Sequence, residues 1–264
     1  MRNPRRHGHL ADASHGQPSH RAATSLALVP LAMYALPWLA QRGLRAILGD
    51  EAGQRFVYDQ LLPELGPIEI PTMLLLLAAG VWALRLGATR VPDLGRPAAT
   101  MLVAFGAGLL LVAGEEASWG QWLFGFTPPD EVARINHQGE LNLHNIALQG
   151  KTELMRALFG LAGLAAVFAA PRMGAFSGLR APVAFAPWFA AMTVFPLWEL
   201  ATDYVTLVPL IDGFASSKLF SEWQELMISA SALAYVALLA LRFPRTRRPG
   251  PDGSRMASRV AGQR

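Results

Sequence analysis

The sequence contains no cysteine among its 264 residues. A disulfide, a thiolate zinc site and a cysteine nucleophile are therefore all excluded. Charged residues are also scarce, at 16%, whereas hydrophobic residues make up 52% and the mean hydropathy is +0.29. This balance is typical of an integral membrane protein.

Six apolar stretches have about the length that a transmembrane helix requires, at 24–40, 68–86, 98–113, 154–170, 181–200 and 222–243. The first is interrupted by Pro30 and Pro37, which membrane helices tolerate better than soluble ones. A cleaved signal peptide is the alternative for that stretch, but no small-x-small cleavage site follows it. We predict an all-α bundle of about six transmembrane helices over 23–243. A histidine-rich basic leader at 1–22 and a basic tail at 244–264 should be disordered.

The basic residues predict the orientation, because cytoplasmic loops are enriched in Lys and Arg. With both termini inside, most of the 23 Lys and Arg fall on the inner side, but only Asp12, Asp93 and Asp252 of the 19 acids do. We predict a multi-pass protein of the bacterial inner membrane with both termini cytoplasmic. Its basic tails should lie against anionic lipid headgroups. Nothing in the sequence calls for a nucleic-acid partner, and a protein partner stays open.

Carboxylates are concentrated at the outer ends of the predicted spans. Ionisable groups there normally face the protein interior and water, so we expect them to converge in one outward-open polar pocket. Glu199 lies where the helix dipole disfavours an anion, and it therefore needs a compensating partner. The carboxylates are Glu115 and Glu116 after the third span, Glu199 and Asp203 four residues apart in the fifth, and Glu222 and Glu225 three residues apart in the sixth.

Simpler interpretations of these residues stay open. Glu222 and Glu225 lie in the first turn of the predicted sixth helix, where the dipole favours negative charge. Acids near helix ends are also often only solvated. Tryptophans near the outer ends match an aromatic belt or ordinary packing: Trp119, Trp122, Trp198 and Trp223.

The second external loop has two predicted parts. The stretch TPPDEVARIN predicts a short interfacial helix with Thr127 as N-cap, Pro128 at its first position and Asp130 supporting the start. The stretch HQGELNLHNI then places polar residues at alternate positions. We predict an extended connection packed in protein, whose even-numbered side chains turn towards the acidic helices: Gln138, Glu140, Asn142 and His144.

Between Gly114 and Asn145 the chain resembles a family of uncharacterised bacterial polytopic membrane proteins. The resemblance rests on a Glu-Glu-x-Ser-Trp-Gly-Gln element followed by Asn-x-Gln-x-Glu-x-Asn-x-His-Asn. It implies a multi-pass membrane protein and brings no known activity with it. The matching residues are Glu115, Glu116, Ser118, Trp119, Gly120, Gln121, Asn136, Gln138, Glu140, Asn142, His144 and Asn145.

Several carboxylates and an imidazole in one pocket are suitable ligands for zinc, manganese or iron, and such a metal activates water for hydrolysis. The favoured function is a metal-dependent membrane hydrolase acting on a lipid or envelope-linked substrate. Asp203 or Glu222 would accept a proton, and Ser118 would support the site by hydrogen bonding. The predicted metal ligands are Glu115, Glu116, His144 and Glu225.

Two functions of other classes use the same residues. The carboxylates would bind a cation or relay protons in a transporter, although the sequence shows no inverted repeat. The polar patch would alternatively dock a partner for a non-catalytic subunit. Ceramidase-like and rhomboid-like hydrolases are disfavoured, because no histidine follows His144 and Ser118 lies in Ala-Ser-Trp-Gly.

Overall fold

The computed structural model describes residues 20–63, 66–136, 139–142, 151–204 and 218–243. Within these ranges the chain is helical, which confirms the predicted all-α class. The α-helices are α1 His20–Leu48, α2 Asp50–Phe56, α3 Glu69–Thr89, α4 Val91–Leu94, α5 Arg96–Glu116, α6 Gln121–Phe124, α7 Asp130–Ile135, α8 Lys151–Phe168, α9 Ala186–Tyr204 and α10 Lys218–Arg242.

Five helical segments in the described ranges are long and apolar enough to cross a bilayer. They comprise α3, α5, α8 with the turn after it, α9 with the turn before it, and α10. The protein is therefore a multi-pass membrane protein built as a helical bundle. The first predicted span lies within α1, which is not one of these five segments.

Glycines set the closest helix contacts. Helix α3 packs along α5, and a Cβ on Gly106 would lie 2.9 Å from the carbonyl oxygen of Gly80. Helix α8 packs along α9, where a Cβ on Gly160 would approach the Thr193 hydroxyl and backbone. Small residues let membrane helices approach this closely. Helix α10 packs along α3 and meets α8 and α9 over a smaller area, so it joins the two helix pairs.

The two ends of the bundle differ in charge. The end of α5 lies beside the starts of α3, α8 and α10, as contacts between their charged side chains show. We call this the acidic end, defined by Glu69, Glu116, Glu199, Glu222 and Glu225. The opposite end, the basic end, is defined by Arg90, Arg96, Arg172, Arg180 and Arg242.

Two predicted helix starts are wrong. Helix α7 begins at Asp130 with Pro129 as its N-cap and no side-chain cap, so Thr127 and Pro128 lie before the helix. Each of these two residues precedes a proline, which disfavours helical backbone and delays the start. Helix α10 begins at Lys218, four residues before the predicted span, so Glu225 lies beyond the first turn.

Candidate functional site

The two adjacent carboxylates that end α5 have different surroundings. After Glu116 the backbone turns through left-handed conformations at Ser118, Trp119 and Gly120, with φ of 43°, 52° and 85°. Because Ser118 has left the helix, it does not share a helix face with Glu115. The Trp119 indole instead donates a 2.7 Å hydrogen bond to Glu115.

A buried hydrogen-bonded group of side chains follows this turn. The Ser118 hydroxyl donates to Oε2 of Glu140 over 3.0 Å. The Asn142 amide donates to the same oxygen at 2.5 Å and to the Ser118 hydroxyl at 3.0 Å. All three residues are buried, so Ser118 holds a carboxylate in place and is inaccessible to a substrate.

Two further residues complete this group. The Asn136 amide donates to the backbone and side-chain oxygens of Asn142, each over 2.9 Å. The Gln121 side chain accepts from the backbone N–H of Leu141 over 2.8 Å. We call Ser118, Gln121, Asn136, Glu140 and Asn142 the signature cluster. Its bonds fix the turn after α5, and with it the position of Glu116.

The predicted inward turn of the even-numbered loop residues is confirmed where the structure describes it. Glu140 and Asn142 are buried against the turn after α5. Gln138 and His144 lie outside the described residues.

Arg156 of α8 holds two carboxylates of neighbouring helices. Its Nη2 lies 2.5 Å from Glu225 of α10, and its Nη1 lies 3.9 Å from Glu199 of α9. The Ser221 hydroxyl lies 3.3 Å from both the guanidinium and Glu199. The prediction that Glu199 requires compensation is confirmed, and its partner is an arginine that the sequence reasoning had missed.

Three predicted site carboxylates lie within electrostatic reach of this pair or of each other. Glu116 lies within electrostatic reach of Glu222, Glu225 and Arg156, and also of Glu69 at the start of α3. Glu69 and Glu222 line a cavity of about 20 Å³, which is enough for a water molecule. We call Glu69, Glu116, Arg156, Glu199, Glu222 and Glu225 the carboxylate cluster.

The rest of the predicted ligand set is not assembled in the described residues. Glu115 is bonded to Trp119, and His144 lies outside the described ranges. Asp203 lies in α9 one turn beyond Glu199, and the structure does not describe its side chain. Among described residues, no three His, Asp or Glu side chains form a group that could hold a metal ion. The four-ligand metal site therefore stays a prediction.

Arg156 and Gln224 carried signals that the sequence reasoning did not use. Arg156 is the one charged residue in the predicted span 154–170, and such a residue needs a partner inside the bundle. Gln224 is 0% exposed, and within the described part of the chain neither of its amide atoms has a hydrogen-bond partner. It shares a face of α10 with Ser221, which lies three residues earlier.

The aromatic side chains of the acidic end divide into two groups. The Trp223 indole donates to the backbone oxygen of Met33 over 2.9 Å, so it packs α10 against α1. Trp119, Trp122 and Trp198 are exposed, as are Leu123 and Phe124 of α6. Exposed tryptophans at the end of a membrane bundle are consistent with the predicted aromatic belt.

Comparison of the chain with protein-family models, curated proteins and solved structures finds no significant match. The chemistry must therefore be argued from the geometry. The carboxylate cluster holds five acids around one arginine, and Lys218 also lines the cavity beside Glu69 and Glu222. This excess of negative charge favours a bound cation or bound protons.

Proposed function

We propose that this multi-pass membrane protein binds a divalent cation in the carboxylate cluster and is a metal-dependent hydrolase of a lipid or envelope-linked substrate. The observation that supports it best is that Glu116 lies within electrostatic reach of Glu222, Glu225 and the Arg156 guanidinium. Carboxylate oxygens are ligands for zinc, manganese and iron, and a cation would relieve their mutual repulsion.

The ion pairs bear on how Glu225 would act. Glu225 is held by Arg156 at 2.5 Å, so it would bind a metal only by leaving the guanidinium. Glu199 offers the guanidinium another partner, so Glu225 would join Glu116 if Arg156 moved towards α9. His144 as a further ligand and Asp203 as a proton acceptor stay part of the proposal. The metal would polarise the substrate and activate a water.

The proposal includes a location. We place the protein in the bacterial inner membrane with both termini in the cytoplasm and the acidic end outside. This orientation is supported by the arginines of the opposite end, since positive charge is retained on the cytoplasmic side. The basic tails would contact anionic headgroups there. A substrate would then approach from the outer leaflet or the envelope.

Metal analysis of two neighbouring variants tests the proposal. Full-length protein would be purified without chelator or histidine tag, with His7, His9 and His15 replaced by Gln to remove leader binding. Plasma mass spectrometry would compare Glu116→Gln with Glu115→Gln. Both changes remove one charge at the same helix end, but Glu116 lies within electrostatic reach of Glu222 and Glu225, whereas Glu115 accepts a hydrogen bond from Trp119. We expect near-stoichiometric metal in the parent and in Glu115→Gln, and its loss in Glu116→Gln.

Each other outcome changes the proposal in a defined way. Metal retained in Glu116→Gln would place the site elsewhere. No metal in any preparation, even after incubation with zinc or manganese, would refute the metalloenzyme. If metal is present, lipid extracts incubated with the parent and with Glu116→Gln should differ in hydrolysis products. Identical products would mean that the protein binds metal but does not hydrolyse these lipids.

Cation- or proton-coupled transport is a second candidate, because Arg156 links α8 to α9 and α10 through separate carboxylates. A shift between the helix pairs would change its partners. In proteoliposomes, transport predicts cation-dependent proton movement that Glu225→Gln abolishes. A docking subunit, the third function considered, predicts neither bound metal nor proton movement.

A further inference from the structure

An apolar space lies in the half of the bundle nearer the basic end. It has a volume of about 320 Å³ and is bounded by α5, α8, α9 and α10. Its walls are apolar and include Phe105, Phe159, Ala166 and Phe189. The volume is at the lower end of the range found for ligand pockets. It is separate from the carboxylate cluster, whose residues lie at the opposite ends of the same helices.

This space reaches the lipid-facing surface of the bundle. In the described part of the chain, α5 and α8 border it without packing along each other. Met101 of α5 and Met173 after α8 both line it, and they are also 53% and 50% exposed. An occupant can therefore enter from the side, between two membrane-spanning helices.

Two arginines lie at the rim nearest the basic end. The hydroxyl of Tyr235, a wall residue, donates a 2.6 Å hydrogen bond to the carbonyl of Leu179, another wall residue. Arg180 follows directly, and its carbonyl accepts a hydrogen bond from Arg242. Arg242 lies within electrostatic reach of both Arg180 and Tyr235. Arg180 and Arg242 therefore lie beside the wall residues Leu179 and Tyr235, within electrostatic reach of each other.

We infer that this space holds one acyl chain of an anionic phospholipid, whose phosphate is bound by Arg180 and Arg242. The acyl chain of such a lipid matches the apolar cavity, and its phosphate matches the two positive charges at the rim of the cavity. Acidic side chains do not compete there in the described residues, since Asp93 is paired with Arg90 at 3.5 Å. This is a defined site between helices, unlike the diffuse headgroup contacts proposed for the tails.

Charge argues against the protein itself as the occupant. The chain continues from Phe243, next to Arg242 of the rim, but it carries Arg245, Arg247 and Arg248. The positive charges of Arg180 and Arg242 would repel these arginines. A second copy of the chain would bring the same arginines to the contact. An anionic lipid removes this repulsion.

Photolabelling of the full chain tests the site. Delipidated protein in neutral detergent would receive a few equivalents of phosphatidylglycerol carrying a diazirine in its acyl chain, or phosphatidylcholine with the same chain. Peptide mass spectrometry would locate the label. We expect phosphatidylglycerol to label Met101, Ala166 and Met173 preferentially. Arg180→Gln with Arg242→Gln should reduce the labelling about fivefold per arginine, whereas Arg55→Gln at the acidic end should not.

A cavity-filling variant tests the acyl chain separately. Ala166→Phe would occupy the space and should abolish the label there, whereas Leu158→Phe, on an exposed position of the same helix, should preserve it. If the melting curve shows that Ala166→Phe does not fold, the arginine variants still test the lipid site. Equal labelling by the two lipids, label spread over the lipid-facing surface, or competition by a second copy or by peptides from 244–264 would each overturn the inference.

Discussion

Arg156 and Glu225 form an ion pair at 2.5 Å across the contact between α8 and α10. Both side chains are largely removed from solvent, at 9% and 20% exposure. The pair matters for stability mainly because removal of one partner would leave the other as an unpaired charge in the bundle interior, and such a charge is costly. The same guanidinium approaches Glu199, so one residue holds three helices together.

The first prediction is that Arg156→Gln destabilises the protein by about 3 to 5 kcal/mol, because it leaves Glu225 and Glu199 buried without their cation. Thermal or denaturant unfolding in detergent, followed by intrinsic fluorescence, measures this change. Replacing both partners of the closer pair, Arg156→Met with Glu225→Met, should recover the part of the loss that comes from Glu225, whereas Glu199 still lacks the guanidinium.

An exposed pair provides the control. Arg55 lies 3.7 Å from Glu51, with side chains 77% and 91% exposed. Arg55→Gln should change stability by less than about 1 kcal/mol, as exposed ion pairs do. If Arg156→Gln were no more destabilising than Arg55→Gln, the interpretation of Arg156 as the charge that holds the acidic end together would be wrong.

The second prediction concerns the signature cluster. Asn142→Leu keeps the size of the side chain but removes an amide that donates to Ser118 and Glu140 and an oxygen that accepts from Asn136. Leaving buried partners unsatisfied should cost about 1 to 3 kcal/mol. The same unfolding measurement checks this. Ser177→Ala, at an exposed serine bonded to the Gly174 carbonyl, is the control and should be nearly neutral.

The long apolar runs predicted the five spanning segments well, because a helix that crosses a bilayer requires about 20 predominantly apolar residues. The need of Glu199 for a partner also followed from its place near the end of an apolar helix. That the partner is Arg156 did not follow, because it depends on how α8 packs along α9. That packing is set by contacts such as Gly160 against Thr193, and one sequence does not show them.

The turn after α5 could not be predicted from local preference. Ser118 and Trp119 adopt positive φ, which residues with a Cβ rarely do. Here side-chain hydrogen bonds hold them: Ser118 to Glu140 and Trp119 to Glu115. A helix continuing as far as Ser118 would have placed Glu115 and Ser118 on one face. Because the turn intervenes, Glu115 and Glu116 have separate partners.

The third prediction tests this turn. Gly120 has φ of 85°, and a Cβ there would lie 3.0 Å from the Phe124 ring. Gly120→Ala should destabilise the protein by about 1 to 2 kcal/mol through left-handed strain. Gly108→Ala in the middle of α5, where a Cβ meets nothing within 4 Å, is the control and should be neutral or stabilising. Equal unfolding midpoints for the two variants would show that the turn tolerates a Cβ.

The fourth prediction places the two ends of the bundle on opposite sides of the membrane. The absence of cysteine makes single introduced thiols unambiguous reporters. Glu51→Cys would report on the connection between α1 and α3, and Gly174→Cys on the segment between α8 and α9, where a new Cβ meets nothing within 4 Å. In intact spheroplasts, a membrane-impermeant maleimide should label Glu51→Cys at once and Gly174→Cys only after permeabilisation.

The reasoning behind this expectation is that the segment around Gly174 lies at the basic end with Arg90, Arg96, Arg172, Arg180 and Arg242, whereas the connection at 49–68 carries Arg55 as its one basic residue. Positive charge near the ends of spanning segments is retained in the cytoplasm, and acids contribute little to the choice. Labelling of Gly174→Cys alone in intact spheroplasts would reverse the orientation. The carboxylate cluster would then face the cytoplasm, and a substrate in the outer leaflet or the envelope would be ruled out.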